Sequence, residues 1–156
     1  MNTVLVDTRG RLIHSPFTGI LKVKKLYPDA KLPFRANEGD GGYDLSLYNE
    51  EVITPHSTIR AKTGLAVRLP KGTVGLIRSR SSMFYNSLSI VGTLDEGYTG
   101  ELFLQIQNIS NAPVYLKAGS RVGQLIVVPY YTLTLEETED LGTSERGSNG
   151  FGSSGK

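Results

Sequence analysis

The residues of this 156-residue chain able to do chemistry gather in five polar clusters. GDGGYDL, residues 39–45, sets Asp44 between Tyr43 and Leu45 after glycines that permit close backbone approach. An aspartate placed so can hold turn amides or help organise a charged ligand. RSRSSM, residues 78–83, sets Arg78 and Arg80 beside Ser81 and Ser82. Planar guanidinium donors next to short hydroxyls suit the oxygens of a phosphate chain, and equally a solvated strand end. LDEGYTG, residues 94–100, offers Asp95 to orient or deprotonate a water and Tyr98 to lay a ring against a sugar. The same letters also make an ordinary hairpin turn. GSRVGQ, residues 119–124, puts Gln124, both donor and acceptor, beside Gly123 at the head of the apolar run LIVVP. Core-edge hydrogen bonding accounts for it almost as well. RGSNGFGSSGK, residues 146–156, keeps one aromatic, Phe151, among glycines and serines. Such a segment has nothing to pack, so it reads either as a tail that folds over a ligand or as plain disorder.

Other chemistries are disfavoured by what is missing. The chain has no cysteine, hence no disulfide, thiolate nucleophile or cysteine-ligated zinc. Its two histidines, His14 and His56, stand far apart and outside the clusters, which argues against a zinc site or a serine–histidine triad. Neither a phosphate-binding loop ending in Gly-Lys-Ser/Thr nor a dinucleotide fingerprint occurs. With 17 basic and 15 acidic side chains, stable binding to nucleic acid is not expected. Apolar runs are too short to span a bilayer and no secretory signal opens the chain, so an intracellular protein without membrane association is expected.

The elements that position these clusters read as short strands. Eighteen glycines, seven prolines and eight tyrosines among Val/Leu/Ile runs favour strands joined by tight turns. Strands are expected at ILKVKKLY, YDLSLY, two within HSTIRAKTGLAVRLPKG around a turn, and one at TVGLIRSRSS entering a serine-rich bend. SLSIVGTLDEGYTGELFLQIQNIS is expected to be a hairpin with Leu102, Leu104 and Ile106 facing one way. Pro113–Leu116 and Val122–Tyr131 supply the last strands. Val74, Leu76, Arg78 and Arg80 share one strand parity, so at least one arginine must leave that row or find a partner. The best helix candidate is TLEETEDLG, 134–142, which also reads as an acidic linker. The fold class is therefore all-β, a sandwich or barrel. Residues 1–19 are an N-terminal extension without a derivable role, 20–135 the β domain, and 136–156 a C-terminal arm and glycine-rich lid.

Taken in order, YDL, RSS, LDEGY with TG, GxRxGQ and RGxxGFGSSG resemble the five motifs of the trimeric deoxyuridine triphosphate nucleotidohydrolases (dUTPases), over about residues 20–156. The resemblance implies a jelly-roll-like homotrimer whose active sites each draw on three chains, with a flexible C-terminal tail. It implies hydrolysis of dUTP to dUMP and pyrophosphate with Mg2+, which supplies dUMP for thymidylate synthesis and keeps uracil out of DNA. The cytoplasm, or the nucleus in a eukaryotic host, is the implied compartment. Asp44 resembles the aspartate that organises the magnesium-bound phosphates, indirectly through water. Arg80 and Ser81, with Ser82 beside them, resemble the family's Arg-Ser pair, in which the serine bonds at the α–β phosphate bridge and the arginine mainly supports the assembled site. Asp95 resembles the residue that positions the attacking water, and Tyr98 the ring that packs on deoxyribose and excludes a 2′-hydroxyl. Gln124 is similar to a glutamine near the phosphates and Arg146 to the γ-phosphate arginine. Phe151 resembles the ring that covers uracil, while Gly152, Ser153 and Ser154 complete the phosphate cover. Main-chain groups of the Ser87–Gly92 arm, Gly92 included, would read the uracil edge.

The chain also departs from the family pattern. Gly97 and Thr99 stand where many members have an acid and a base, Ser79 replaces a common proline, and Gly123 a common alanine. The related dCTP deaminases share the fold and often a glycine at position 97. Their water-activating glutamate would fall at Gln105, whose amide cannot accept that proton. A deaminase-like enzyme and a non-catalytic nucleotide sensor or protein-binding variant are the alternative readings.

Overall fold

The computed structural model describes Leu5–Val6, Leu12–Ile13, residues 19–145 and Gly147. In chain order its strands are β1 (Leu5–Val6), β2 (Leu12–Ile13), β3 (Lys22–Lys25), β4 (Gly42–Ser46), β5 (Glu51–Ile53) and β6 (Thr58–Arg68). They continue with β7 (Thr73–Ser79), β8 (Leu88–Leu94), β9 (Glu101–Asn108), β10 (Val114–Leu116) and β11 (Arg121–Pro129). One short helix, α1 (Ser81–Tyr85), joins β7 to β8. Seven strands form one sheet in the order β3-β6-β9-β8-β7-β11-β4, β5 pairs with β10, and β1 pairs with β2. All pairings are antiparallel.

Side-chain alternation decides which face of this sheet is the inside. Leu102, Leu104 and Ile106 of β9 are buried while Gln105 and Gln107 are exposed, the expected period of two. Each fully buried leucine or isoleucine contributes about 1.5–3 kcal/mol of transfer free energy. Leu45 of β4 and Val23 of β3 come from opposite ends of the strand order yet pack on one cluster. The sheet therefore curls until its two ends share an interior, in agreement with the all-β, jelly-roll-like expectation. Asn108, which no motif singled out, is fully buried at the end of β9. Its Nδ2 donates to the carbonyls of Ile53 (3.0 Å), Thr54 (3.3 Å) and Ala112 (2.8 Å), tying the small β5–β10 ladder to the large sheet. Its Oδ1 accepts from Ser110 N–H at 2.9 Å, so the buried amide is fully employed.

Two expectations need correction and one left open is settled. Residues 58–68 form one strand, not two around a turn. Gly64 adopts φ +70° and shifts the β6–β9 register between Lys62 and Ala66, which makes a bulge instead of a reversal. At 134–142 the linker reading holds over the helix candidate: these residues are exposed coil, because an acidic stretch without an apolar face has nothing to dock. The serine-rich bend after β7 instead holds α1, and β5 was not foreseen at all, being only three residues long.

On β7, Thr73, Gly75 and Ile77 point inward, so Val74, Leu76 and Arg78 lie on the outer face. Gly75 allows close packing there, since a Cβ would come within 2.8 Å of Leu125 Cδ1.

Gly64 is crowded as well as left-handed, with Ala30 Cβ and Tyr48 Cδ2 each 3.0 Å from where a Cβ would stand. Gly64→Ala is expected to lower the unfolding free energy by at least about 1–2 kcal/mol, the cost of a left-handed alanine before any clash. A urea midpoint equal to wild type would show that the bulge tolerates a side chain.

Candidate active site

The ladder between β8 and β9 opens halfway along the hairpin. Leu88, Ser89 and Ile90 pair with Asn108, Gln107 and Ile106, but Val91 to Leu94 pair instead with Arg78 to Gly75 of β7. Ser79 marks the change of partner: its hydroxyl accepts the Ile90 N–H at 2.7 Å and donates to the Leu88 carbonyl at 3.4 Å. A proline there would keep the turn and lose both bonds.

Because strand main-chain groups alternate sides, the register fixes which ones face the opening. Ile109 N–H donates to the Ser87 carbonyl, so odd-numbered residues of β8 point toward β9 and even-numbered ones toward β7. By the same alternation the odd residues of β9 face β8. The peptides of Val91 and Thr93 thus look across a gap at those of Phe103 and Gln105, with no strand between them. The gap opens into a cavity of about 320 Å³ that also takes in Gly92, Asp95 and Tyr98. Unpaired amide and carbonyl groups on both walls suit a flat heterocycle whose rim carries donors and acceptors.

At the mouth of this slot the hairpin turn fixes two side chains in different ways. Tyr98 N–H donates to the Asp95 carbonyl at 3.1 Å, and Tyr98 Oη donates to the Glu101 carbonyl at 2.8 Å. The ring lies so close over Gly100 that a Cβ there would be 2.8 Å from Tyr98 Cζ. Gly100 is therefore part of the site, because only a bare Cα lets the ring settle. The two acids of the DEG turn divide their work. Glu96 Oε2 accepts from Gly72 N–H at 2.6 Å and binds the turn to the β6–β7 connection. Asp95 is exposed, lines the cavity, and its carboxylate makes no hydrogen bond among the described residues.

The second cluster assembles at the other end of β7. Asp44 Oδ1 accepts from Arg80 Nε at 2.9 Å and Oδ2 from Arg121 Nη1 at 3.2 Å. Arg80 Nη1 also donates to the Arg121 carbonyl at 3.2 Å. Arg80 is thus the arginine that leaves the outer row and finds a partner. Gln124 stands opposite Asp44 on β4 and Arg78 on β7, and its Nε2 donates to the Ser79 carbonyl at 3.2 Å. Gly42 makes room for it, since a Cβ would come within 2.7 Å of Gln124 Oε1. Arg78, Arg80 and Ser81 line an open cleft of about 490 Å³ with Phe84 and Tyr85, and Ser82 is exposed on the first turn of α1.

The structure therefore brings Gly92, Asp95 and Tyr98 together in one cavity. Arg80 and Ser81 lie in another, with Asp44 and Gln124 beside Arg80. Arg146, Phe151, Gly152, Ser153 and Ser154 lie outside the described residues. Val91 falls within the expected Ser87–Gly92 arm; missed by sequence reading were the slot walls Thr93 and Phe103, which use main chain and carry no side-chain signature, and the role of Gly100, whose fit to Tyr98 is tertiary.

The donor set around Asp44 bears on whether the chain itself could cage Mg2+. No three histidine, aspartate or glutamate groups gather among the described residues, and Asp44 already serves two guanidinium groups. These residues do not make a protein cage for the ion. Two displaced ionisations line neither cavity. The Asn37 backbone N–H holds the Asp40 carboxyl below its ordinary range. Desolvation, then a hydrogen bond to Asp29, pushes the Tyr48 hydroxyl up.

An antiparallel β domain with a heterocycle-shaped slot beside an exposed carboxylate, and with an arginine–serine–glutamine cluster at a second strand end, is a nucleotide-handling β protein. A family model described as dUTPase matches residues 28–155, and the chain belongs to that family. It is 41% identical over 139 residues to a deoxyuridine 5'-triphosphate nucleotidohydrolase of Clostridioides difficile, covering 86% of this chain and 97% of that one. A Rhodococcus erythropolis protein of the same name is 41% identical over 140 residues, covering 86% and 85%. Among solved structures, the dUTPase of Staphylococcus bacteriophage 80alpha with dUPNHPP superposes with TM-score 0.84 at 32% identity, covering 89% of this chain and 100% of that chain. The dUTPase of phage phi11 of S. aureus, described with a structural Mg(II) ion, superposes at 0.74 with 28% identity, covering 80% and 99%.

Asp44→Asn removes the charge that Arg80 and Arg121 share. Unfolding free energy is expected to fall by about 1–2 kcal/mol, allowing for the partial exposure of both arginines. Urea denaturation at low and high salt checks this, and a difference that does not shrink with salt would contradict an ionic origin.

Proposed function

We propose that this chain hydrolyses dUTP to dUMP and pyrophosphate, with Asp95 orienting the attacking water at the α-phosphorus. The observation that carries the reading is the slot of unpaired main chain with Asp95 and Tyr98 at its mouth. Uracil fits between the strand arms because its rim alternates carbonyls and an N–H, which complement peptide groups. Cytosine presents an amino donor where uracil has a carbonyl and would face a like group. Tyr98, fixed over Gly100, offers its ring to deoxyribose and leaves no room for a 2′-hydroxyl.

At the phosphates, Asp95 accepts a hydrogen bond from water and takes its proton as attack proceeds, much of the gain coming from alignment. Arg80, Ser81, Ser82 and Gln124 supply phosphate-side donors, with Asp44 holding Arg80 in place. Arg146 and Phe151 are assigned the γ-phosphate and the base, and Gly152, Ser153 and Ser154 the closing cover. Mg2+ would supply charge neutralisation at the triphosphate, and Asp44, already serving Arg80 and Arg121, would reach it only through water. This supplies dUMP and removes dUTP in the cytoplasm. No described helix is long and apolar enough to cross a membrane.

Two features support a homotrimer with shared sites. Val74, Leu76, Ile126 and Val128 form an outer apolar row that is only half-buried in the single chain. Beyond β11, Tyr131, Leu133 and Leu135 are exposed at alternate positions of an unpaired segment. Copies packed on that row would bring one chain's Asp95 cavity to another's Arg80 cluster, with the tail of a third closing over both.

The protein with Mg2+ is expected to release pyrophosphate from dUTP and little from dCTP, dTTP or UTP. Ammonia released from dCTP would instead support deamination, and no product from any of them would support a sensor. Asp95→Asn is expected to retain dUTP binding and lose at least ~100-fold in turnover, the low end for a lost general base. Near-normal turnover in a folded trimer would remove Asp95 from that role.

A further inference from the structure

We propose that Arg60, through its stack on Phe103, is a substrate-positioning residue of the slot. This rests on the dUTP reading above and adds a residue that no motif contains. Arg60 Cζ lies over the Phe103 ring, 3.7 Å from its centre, a close cation–π contact. Among the described residues, the three other cation–aromatic contacts, at 5.2, 5.8 and 5.3 Å, are looser. Phe103 carries one of the peptides that wall the slot, and its ring projects from the outer face of β9. In the β6–β9 ladder Phe103 stands opposite Lys62 and Arg60 opposite Gln105, so Arg60 reaches the ring along the diagonal. With the ladder to β8 missing at this point, β9 has lost the hydrogen bonds that would hold that peptide from the slot side. The guanidinium clamps it from outside.

Charge gives Arg60 a second reason to act here. Arg60 and Phe103 line the cavity of the slot together with Asp95 and Glu101, and the Glu101 carboxylate already accepts the Gly64 N–H at 3.1 Å. Among the described residues lining that cavity, Arg60 is the one cation. A polyanionic nucleotide entering beside the Asp95 carboxylate meets repulsion, which a guanidinium held over a ring offsets without swinging away. Neither effect touches the attacking water. Loss of Arg60 therefore weakens binding and leaves the chemical step alone.

Steady-state kinetics with dUTP and Mg2+ test this on the full chain, with calorimetric binding of the α,β-imido analogue of dUTP as a second readout. Arg60→Ala and Phe103→Leu are each expected to raise KM and the analogue Kd by ~3- to 10-fold, the range of cation–π contacts between exposed and desolvated limits. The value of kcat should stay within about twofold, well short of the loss given by removal of an acid–base group. Arg60→Lys, which keeps the charge and loses the planar stack, should rescue only part of the loss. The double variant should be no worse than the worse single one, since the two side chains act as a unit. Arg60→Gln replaces the alanine variant if that one folds poorly. A wild-type KM in Arg60→Ala, or a fall in kcat at unchanged KM, overturns the inference while dUTP hydrolysis stands. A wild-type chain that releases no pyrophosphate from dUTP overturns both.

Discussion

The organising constraint of this molecule is the exchange of partners by β8. Three of its residues complete a ladder with β9 and the next four turn to β7. A strand can be bonded on both sides only if two neighbours reach it, and past Ile90 only one does. What remains is main chain with hydrogen-bonding capacity and no strand partner among the described residues, on two walls that face each other. Val91, Thr93 and Gln105 are exposed, so these peptide groups are left to water, and a planar ligand able to replace the missing strand can take water's place there. Ser79 decides where this happens, because its hydroxyl terminates the β7–β8 ladder at Ile90.

The phosphate-side cluster follows a different logic. A carboxylate held by two guanidinium groups is a positioning device, since its charge is spent on Arg80 and Arg121 and its own freedom is gone. Gln124 joins the same corner because β11 runs between β4 and β7 and places it opposite both Asp44 and Arg78. The slot recognises shape and rim chemistry through backbone, whereas this corner gathers anion donors through side chains. Dividing recognition in this way lets one fold fix a base tightly and still leave the triphosphate end to flexible groups.

Much of this was legible in the residue order. Alternation in ELFLQIQN foretold which side of β9 is buried, and the hairpin turn fell where LDEGYTG put it. The clustered side chains Asp44, Arg80, Asp95, Tyr98 and Gln124 were found because their types and spacing are themselves chemical. The reading failed at Gly64, where a glycine between two strand-like runs was taken for a turn. Turn and bulge use the same left-handed residue, and only pairing of both halves with β9 distinguishes them. At 134–142 residue order left helix and acidic linker both open, and the want of an apolar face to pack decides for the linker.

The sequence alone determined the fold class, the strand alternation and the identity of the polar side chains, because those depend on local pattern and residue chemistry. It also carried the motif order by which the family is recognised. Tertiary structure decided the slot, the sharing of Asp44 between two arginines, the seat of Tyr98 on Gly100 and the stack of Arg60 on Phe103. Each of these depends on which strand lies beside which and in what register. Register is fixed by the packing of the whole sheet, and no short stretch of chain contains it.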